Sequence, residues 1–489
     1  MAVWAFVALA GLTMLPLPFT GDQALYSMFG RRLAHGAVLY RDIWDVKQPG
    51  IFWFNGVAGT LFGFNEVGSH LLEVLWWIGG AALAVRAWRG QLEHRLAVVV
   101  VPLLTTGLLL ASGRTIDIGQ VEHLVGLPIL ASWWLLQRAD PTTTRGKGRL
   151  VAAGVAAALV GLFKHLYLVV PAAFVILALV RLARRSTRRQ ATTAGLCFTA
   201  GFVVAVLPAA IQVAVTGQLS RVWWTYTGAT AQMRSLDPPP VSRLVKSLGH
   251  AGIVYLPLLV LAAIGWRRAW KPARRAATVD MLVWIGGGGL TLMVQLWWTY
   301  QQLLVLVPLG LLAAHGVDAL ADVGWRRAGV GLRVAAAAVV VTGLVAVAPL
   351  GSRLPLLARH GLAWSTADRR ALRIDEEPAE AAAVATAQLF RLPDAKAGAV
   401  MVIGNPIHQL RSGRLQAGAV HGWSAEFNTP ALWAEVAEAM AAPTTAYVGV
   451  DVEHARYLAR SPATEAVLAQ RFRKLSEVGG LVWYERIAP

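Results

Sequence analysis

The sequence predicts a mainly α, polytopic membrane protein carrying a small C-terminal α/β domain, and three observations lead there. The composition is 56% hydrophobic and only 15% charged, with a mean hydropathy of +0.53. Apolar runs of roughly 17–25 residues, the length that crosses ~30 Å of hydrocarbon, recur over residues 1–350. The connectors between them are short and rich in Lys and Arg. Helices are forced in such a setting, because an open sheet leaves backbone groups unsatisfied in lipid.

Apolar length and connector charge give about eleven spans, near 2–19, 67–85, 96–111, 121–137, 150–163, 166–180, 195–215, 247–266, 279–297, 302–321 and 330–350. The first run has no Lys or Arg before its apolar core and no small-residue cleavage site, so it reads as a retained span rather than a signal peptide. The 33-residue apolar stretch 149–181 has Arg at both ends; with both ends cytoplasmic it must turn back, and Lys164-His165 is the natural turn. The "GGGG" run at 286–289 interrupts one span, and close helix packing is its default role.

The formal charge of +18 does not imply nucleic acid, because the cations lie between apolar runs instead of along one soluble face. Alternate connectors collect them: Arg86, Arg89 and Arg95; Arg138, Arg145, Lys147 and Arg149; Arg181, Arg184, Arg185, Arg188 and Arg189; Arg267, Arg268, Lys271, Arg274 and Arg275; Arg326 and Arg327. These connectors are assigned to the cytoplasm. The remaining ones then face outward: 22–50, 112–120, the Lys164 turn, 216–246, 298–302 and everything after about 351. Trp223-Trp224, Trp297-Trp298 and Trp133-Trp134 fit aromatic interface belts. The single cysteine, Cys197, excludes an intrachain disulfide.

Beyond residue 350 the composition turns soluble. Segments 376–392, 430–442 and 452–472 have helical periodicity, and "GAVMVIG", "TAYVGV" and "GLVWYERI" read as strands. The division is therefore 1–350, a membrane domain, and 351–489, an extracytoplasmic α/β domain. "VIGNP" at 402–406 has one glycine after a strand and reads as an ordinary strand exit rather than a phosphate loop. No internal repeat of the inverted-transporter kind is visible.

The stretch "DQALYSMFGRRLAHGAVLYRDIWDVKQPG", 22–50, puts Asp22, Asp42, Asp45, Arg31, Arg32, Arg41 and Lys47 directly behind the first apolar run. Charge beside hydrocarbon is costly unless it is used. Through Asp22, Gln23, Tyr26, Arg32, Leu33, Gly36, Tyr40, Arg41, Asp42, Trp44, Asp45, Lys47, Pro49 and Gly50, the stretch resembles the first extracytoplasmic loop of bacterial protein-mannosyltransferase-like and aminoarabinose-transferase-like enzymes. These belong to the GT-C superfamily of multi-span glycosyltransferases, whose donors are polyprenyl-phosphate sugars. "DIGQVEHLVGLPILAS" (117–132) is similar to the family's second loop and points to Glu122, and "GLFKHLYLVVP" (161–171) points to Lys164. Where the family often has a His-Tyr or Arg-Tyr pair, Tyr300-Gln301-Gln302 stands here, and the usual Asp-Glu opening is Asp22-Gln23.

The resemblance implies a GT-C fold in the plasma or inner membrane and inverting transfer of a sugar to a lipid, glycan or protein acceptor on the extracytoplasmic side. A carboxylate that takes the acceptor's proton suits that chemistry, and Asp22 is the candidate. Positive charge must meet the leaving phosphate; Lys47, Arg41, Lys164 and Arg114 are the candidates. Glu122, Asp45, Gln23, Tyr26 and Tyr300 are candidates for positioning sugar or acceptor. Asp42 and Asp45, three apart, can share a helical face with Arg41 or Lys47, which makes a structural ion pair the better reading for Asp42. Glu122 also fits a helix N-terminal carboxylate and Lys164 a snorkelling interface cation. Asp22, Glu122 and His123 offer oxygen and nitrogen ligands to a divalent metal, but no spacing resembles a dedicated metal site, so no metal or other cofactor is expected. The competing readings are a transporter or flippase of a lipid-linked sugar and a non-catalytic envelope assembly protein. A transporter would place its polar groups at mid-membrane in discontinuous helices.

Overall fold

The computed structural model describes every residue except 186, 324–328, 373, 375–376 and 488–489. Arg326, Arg327 and the predicted helix start at Glu376 lie outside the described residues. Eight helices among the described residues are long and apolar enough to cross a membrane: Glu66–Gln91, Arg95–Ser112, Thr144–Phe163, His165–Ala183, Arg188–Val215, Val241–Ala269, Pro272–Met293 and Thr299–Val323. Val330–His360 contains a 43° bend and supplies a ninth when taken as one span. The chain is a multi-pass helical membrane protein.

Two of the predicted spans are interrupted, each for a local reason. The run 2–19 is helical only as α1, Ala2–Leu12, because Pro16 and Pro18 follow and proline cannot continue a helix. The run 121–137 is split into Val121–Leu124 and Gly126–Gln137. Pro128 has no N–H to return to the carbonyl of Leu124, and that oxygen instead accepts the indole N–H of Trp76 at 2.9 Å. The glycine run 286–289 does not interrupt its helix, Pro272–Met293; a Cβ on Gly288 would meet Leu304 at 3.2 Å, so close approach explains that glycine.

Contacts divide the chain into two compact units. The first comprises Met1–Leu15, His70–Ile211 and Pro240–Leu362; the second comprises Pro16–Ser69, Gln212–Pro239 and Ala363–Pro489. The C-terminal segment thus folds with two stretches from much earlier in the sequence.

In the first unit, basic connector ends are tied down by buried acids. Asp318, with no exposed surface, accepts the backbone N–H groups of Glu93 and His94 at 3.0 and 2.8 Å and lies 2.9 Å from Arg268 Nε. Glu93 in turn binds Arg268, Arg274 and Lys271. Asp280 takes Arg181 at 2.6 Å and the indole of Trp133 at 2.9 Å, so Trp133 is a buried hydrogen-bond donor rather than part of an interface belt.

In the second unit, the opening stretch is mostly helical where a loop was expected. Thr20 caps α2, Gly21–Ala34, in a reciprocal capping box with Gln23. Pro49 starts α3, Pro49–Phe62. The two pack closely enough that a Cβ on Gly30 would lie 2.6 Å from the backbone N of Gly56. Residues 35–48 form the connection between them.

The C-terminal segment carries a four-stranded sheet of order β1-β2-β4-β3, with β1 Ala399–Ile403, β2 Thr445–Asp451, β3 Phe472–Val478 and β4 Leu481–Arg486. β1 and β2 are parallel, and the other pairings are antiparallel. Three of these strands are the predicted ones. β3 was not foreseen: the expected helix over 452–472 is Ala455–Leu458 followed by Pro462–Arg471. As an edge strand bearing Arg473, Lys474 and Glu477, β3 has the charged pattern that protects sheet edges and hides their hydrophobic signal. "VIGNP" leaves β1 into the short helix Pro406–Ser412, capped by Asn405, as an ordinary strand exit does.

Removing Arg268 takes from the buried Asp318 carboxylate its nearest cation and leaves it two backbone N–H donors and Arg274 at 3.6 Å. Arg268→Ala is expected to destabilise the protein by about 3–5 kcal/mol, read as a lower thermal unfolding midpoint in detergent, with partial recovery in the Arg268→Met/Asp318→Asn double variant.

Candidate functional site

The second unit gathers charge around residues 39–48. Asp22 lies in the first turn of α2, where the helix dipole favours a carboxylate. Its Oδ1 is 3.6 Å from Lys47 Nζ and accepts the indole N–H of Trp423 at 3.0 Å. Among the described residues, no hydrogen bond reaches Asp22 Oδ2. Lys47 Nζ is also 3.7 Å from Asp45 Oδ1 and 5.1 Å from the centre of the Tyr26 ring. Asp22 and Lys47 side chains keep 19% and 28% of their surface exposed, whereas Asp45 keeps 3%.

Asp45 organises the connection. Its Oδ1 accepts the backbone N–H of Lys47 at 2.8 Å, and its Oδ2 is 2.9 Å from Nε2 of His421. Burial opposes its ionisation, but the Lys47 charge, the His421 hydrogen bond and the backbone N–H outweigh it and hold the carboxyl well below the ordinary carboxylate range.

Two further segments hold this connection in shape. Trp44 pairs with Val420 as a parallel bridge, donating its backbone N–H to Ala419 at 3.0 Å. Its indole N–H reaches Thr225 Oγ1 at 3.1 Å, and its ring stacks on Trp224 at 5.7 Å. Tyr40 adopts φ +70°, an unusual conformation for a non-glycine residue. Its hydroxyl donates to the Lys47 carbonyl at 3.1 Å and lies 3.3 Å from the Tyr226 hydroxyl. Thr225–Ala229 form a single π turn, a helical irregularity frequent at functional sites.

Asp22, Lys47, Asp45 and Tyr26 therefore meet. Gln23 is used by the helix cap. Arg41 is half exposed and bound to Asp42 at 2.9 Å, and Asp42 also accepts the Val38 N–H at 2.8 Å. Residues 39–48 are not helical, so the expected i, i+3 face for Asp42 and Asp45 is replaced by these local bonds.

The remaining candidates belong to the first unit. Lys164 donates to Glu122 at 2.7 Å and Gln295 at 2.5 Å, and the hydroxyl of Tyr167 donates to the same Glu122 oxygen at 2.7 Å. Glu122 keeps only 2% exposure, so its charge is matched locally. Arg114 grips Asp117 through two bonds of 3.1 Å and Thr299 at 2.9 Å. Tyr300 lies in the 3-10 stretch Thr299–Val305. His421 and Trp423 were not anticipated. Their only sequence signal is a His and a Trp flanking a glycine in a non-periodic stretch of the soluble segment.

No protein-family model matches the chain, and no curated protein does. Solved structures do. ArnT from Cupriavidus metallidurans bound to undecaprenyl phosphate matches with a TM-score of 0.59 at 15% identity, over 99% of this chain and 97% of that one. Its apo state matches with the same TM-score at 13% identity. The oligosaccharyltransferase of Archaeoglobus fulgidus, in complex with zinc and sulfate, matches with a TM-score of 0.53 at 11% identity, over 97% of this chain and 71% of that one. The chain has the GT-C fold. At these identities the likeness extends to the fold alone.

The depressed Asp45 carboxyl has a pH consequence. Its contribution to stability is complete above the unfolded carboxylate value of about 4 and is lost as pH falls through the lower folded value. The thermal-midpoint difference between wild type and Asp45→Asn is expected to shrink as pH falls below about 4.

Proposed function

We propose that this chain is an integral membrane glycosyltransferase that moves a sugar from a polyprenyl-phosphate donor to an acceptor hydroxyl on the extracytoplasmic face of the plasma or inner membrane. The observation that carries the reading is the meeting of Asp22 and Lys47, 3.6 Å apart and partly exposed, in a chain with the GT-C fold. Residues 351–489 are the extracytoplasmic portion, and the acceptor is a lipid, a glycan or a protein.

In the proposed step the acceptor oxygen attacks the anomeric carbon and the bond from that carbon to the phosphate oxygen breaks. The electron pair leaves with the polyprenyl phosphate, and the hydroxyl proton passes to Asp22. Oδ2, which carries no hydrogen bond among the described residues, is the oxygen suited to take it. A single displacement inverts the anomeric centre. Lys47 meets the charge that develops on the departing phosphate, where a fixed cation at a water-poor boundary acts more strongly than in bulk water. Asp45 orients Lys47 and Tyr26 lines its approach. Lys164, Arg114 and Arg41 are secondary phosphate candidates, since each is bound to an acid of its own. Glu122 and Tyr300 are secondary candidates for positioning.

Membranes containing the protein, supplied with a panel of radiolabelled polyprenyl-phosphate sugars, test this directly. Asp22→Asn is expected to lower transfer by about 10²–10⁴-fold at unchanged expression, and near-normal turnover would remove Asp22 as the base. Lys47→Gln is expected to lower transfer by about 10²-fold or more; an unchanged rate would remove the cation from the phosphate.

A further inference from the structure

The stretch 415–423 is fixed by backbone on two sides before its side chains are considered. Val400 N–H donates to Leu415 O at 2.8 Å, and Ala417 N–H returns to Val400 O at 2.9 Å, so the stretch lies along β1. Gly404 N–H donates to Gly422 O at 3.1 Å. On its other side the stretch bridges Trp44 through Val420. At Gly422 the approach to β1 is so close that a Cβ would stand 2.3 Å from Val402 O; only glycine fits there. The glycine is flanked by His421 and Trp423, the two residues that reach the acids.

His421 is 7% exposed, and its two ring nitrogens have distinct partners. Nδ1 accepts the Trp423 backbone N–H at 3.2 Å, which leaves Nε2 to carry the proton donated to Asp45 at 2.9 Å. Asp45 then holds Lys47 through the backbone N–H and the ammonium. The Trp423 indole donates to Asp22 Oδ1. Its ring is pressed against α2, where a Cβ on Gly21 would fall 2.5 Å from Cζ2, and stacks against His454 at 6.1 Å. The indole therefore has little freedom to turn its N–H elsewhere.

We propose that His421 and Trp423 are positioning residues contributed by the C-terminal segment: His421, through Asp45, aims Lys47 at the donor phosphate, and Trp423 occupies Oδ1 of Asp22 so that Oδ2 meets the acceptor hydroxyl. The inference rests on the glycosyltransferase reading and deepens it by dividing the labour. His421 serves donor binding, and Trp423 serves the transfer step. A role limited to holding the fold predicts no such split.

The test uses the full-length chain in nanodiscs, with undecaprenyl phosphate as the binding probe and the active labelled donor for kinetics. His421→Ala is expected to raise both the Kd for undecaprenyl phosphate and the donor KM by about tenfold, the effect of losing one hydrogen bond to a charged group. His421→Gln, which restores an N–H donor, returns both to within about threefold. Trp423→Phe keeps the ring and loses the N–H; kcat should fall about tenfold or more with probe binding unchanged. If His421→Ala does not fold, the shorter His421→Asn, compared with His421→Gln, takes its place.

Wild-type probe affinity in His421→Ala or His421→Asn overturns the His421 assignment. Normal kcat in Trp423→Phe, or a loss of probe binding there as large as in His421→Ala, overturns the Trp423 assignment. Failure of wild type itself to transfer sugar while binding the probe counts against the enzymatic reading and leaves the His421 arm readable. Failure of wild type to bind the probe counts against the donor assignment.

Discussion

A carboxylate with 3% of its surface in contact with solvent must find its partners inside the protein, and the second unit is arranged around that requirement at Asp45. Two hydrogen-bond donors and a cation converge on it: one backbone N–H, one ring N–H and the Lys47 ammonium at 3.7 Å. Meeting them forces residues 39–48 into an irregular path in which Tyr40 takes a left-handed backbone costing about 1–2 kcal/mol. Its hydroxyl bonds and the burial of Trp44 offset that strain. The loop is therefore over-determined, and Lys47 emerges from it with a defined direction. The charge of Lys47 thus sits beside Asp22 through constraints that originate on neither residue.

The membrane fold was legible because its signals are local. Apolar length and basic connectors need no knowledge of tertiary contacts, and eight helices follow them. α2 was not legible as an element because "GDQALYSMFGRRLA" mixes charge, glycine and apolar residues, and its burial from Gln23 to Gly30 is supplied by packing. The Thr20/Gln23 capping box was available in the sequence and marks the helix start. β3 was hidden by its charged edge. Asp22, Lys47 and Asp45 stood out because charge beside a hydrophobic run is rare. His421 and Trp423 could not stand out, because what they do depends on partners nearly four hundred positions away, and periodicity carries no information over that distance.

Polar positions were easier to find than to interpret. Glu122 and Lys164 were singled out as separate candidates, yet they bond each other, with Tyr167 and Gln295 completing the set. In a low-dielectric setting an unmatched charge is expensive enough that such mutual satisfaction is the default arrangement. Arg114 with Asp117, Arg181 with Asp280 and Arg268 with Asp318 repeat the pattern. A sequence displays the charges of all four pairs equally and says nothing of which are closed.

What separates Asp22 and Lys47 from those pairs is how loosely they are held. The structural pairs approach to 2.6–3.1 Å, the distance of charge-assisted hydrogen bonds. Lys47 instead stands 3.6 and 3.7 Å from its two acids, beyond such a bond, and one oxygen of Asp22 carries no hydrogen bond among the described residues. A pair closed at 2.7 Å has surrendered its donor and acceptor directions to each other and has little left for a reactant. Asp22, whose Oδ1 faces both Lys47 and the Trp423 indole, keeps Oδ2 without a hydrogen bond among the described residues. Around that spacing, the Asp45 carboxylate stands 3.7 Å from the ammonium, and the Trp423 indole donates to the same Asp22 oxygen, Oδ1, that the ammonium faces. Asp22 and Lys47 are thereby kept near each other without closing into a charge-assisted hydrogen bond.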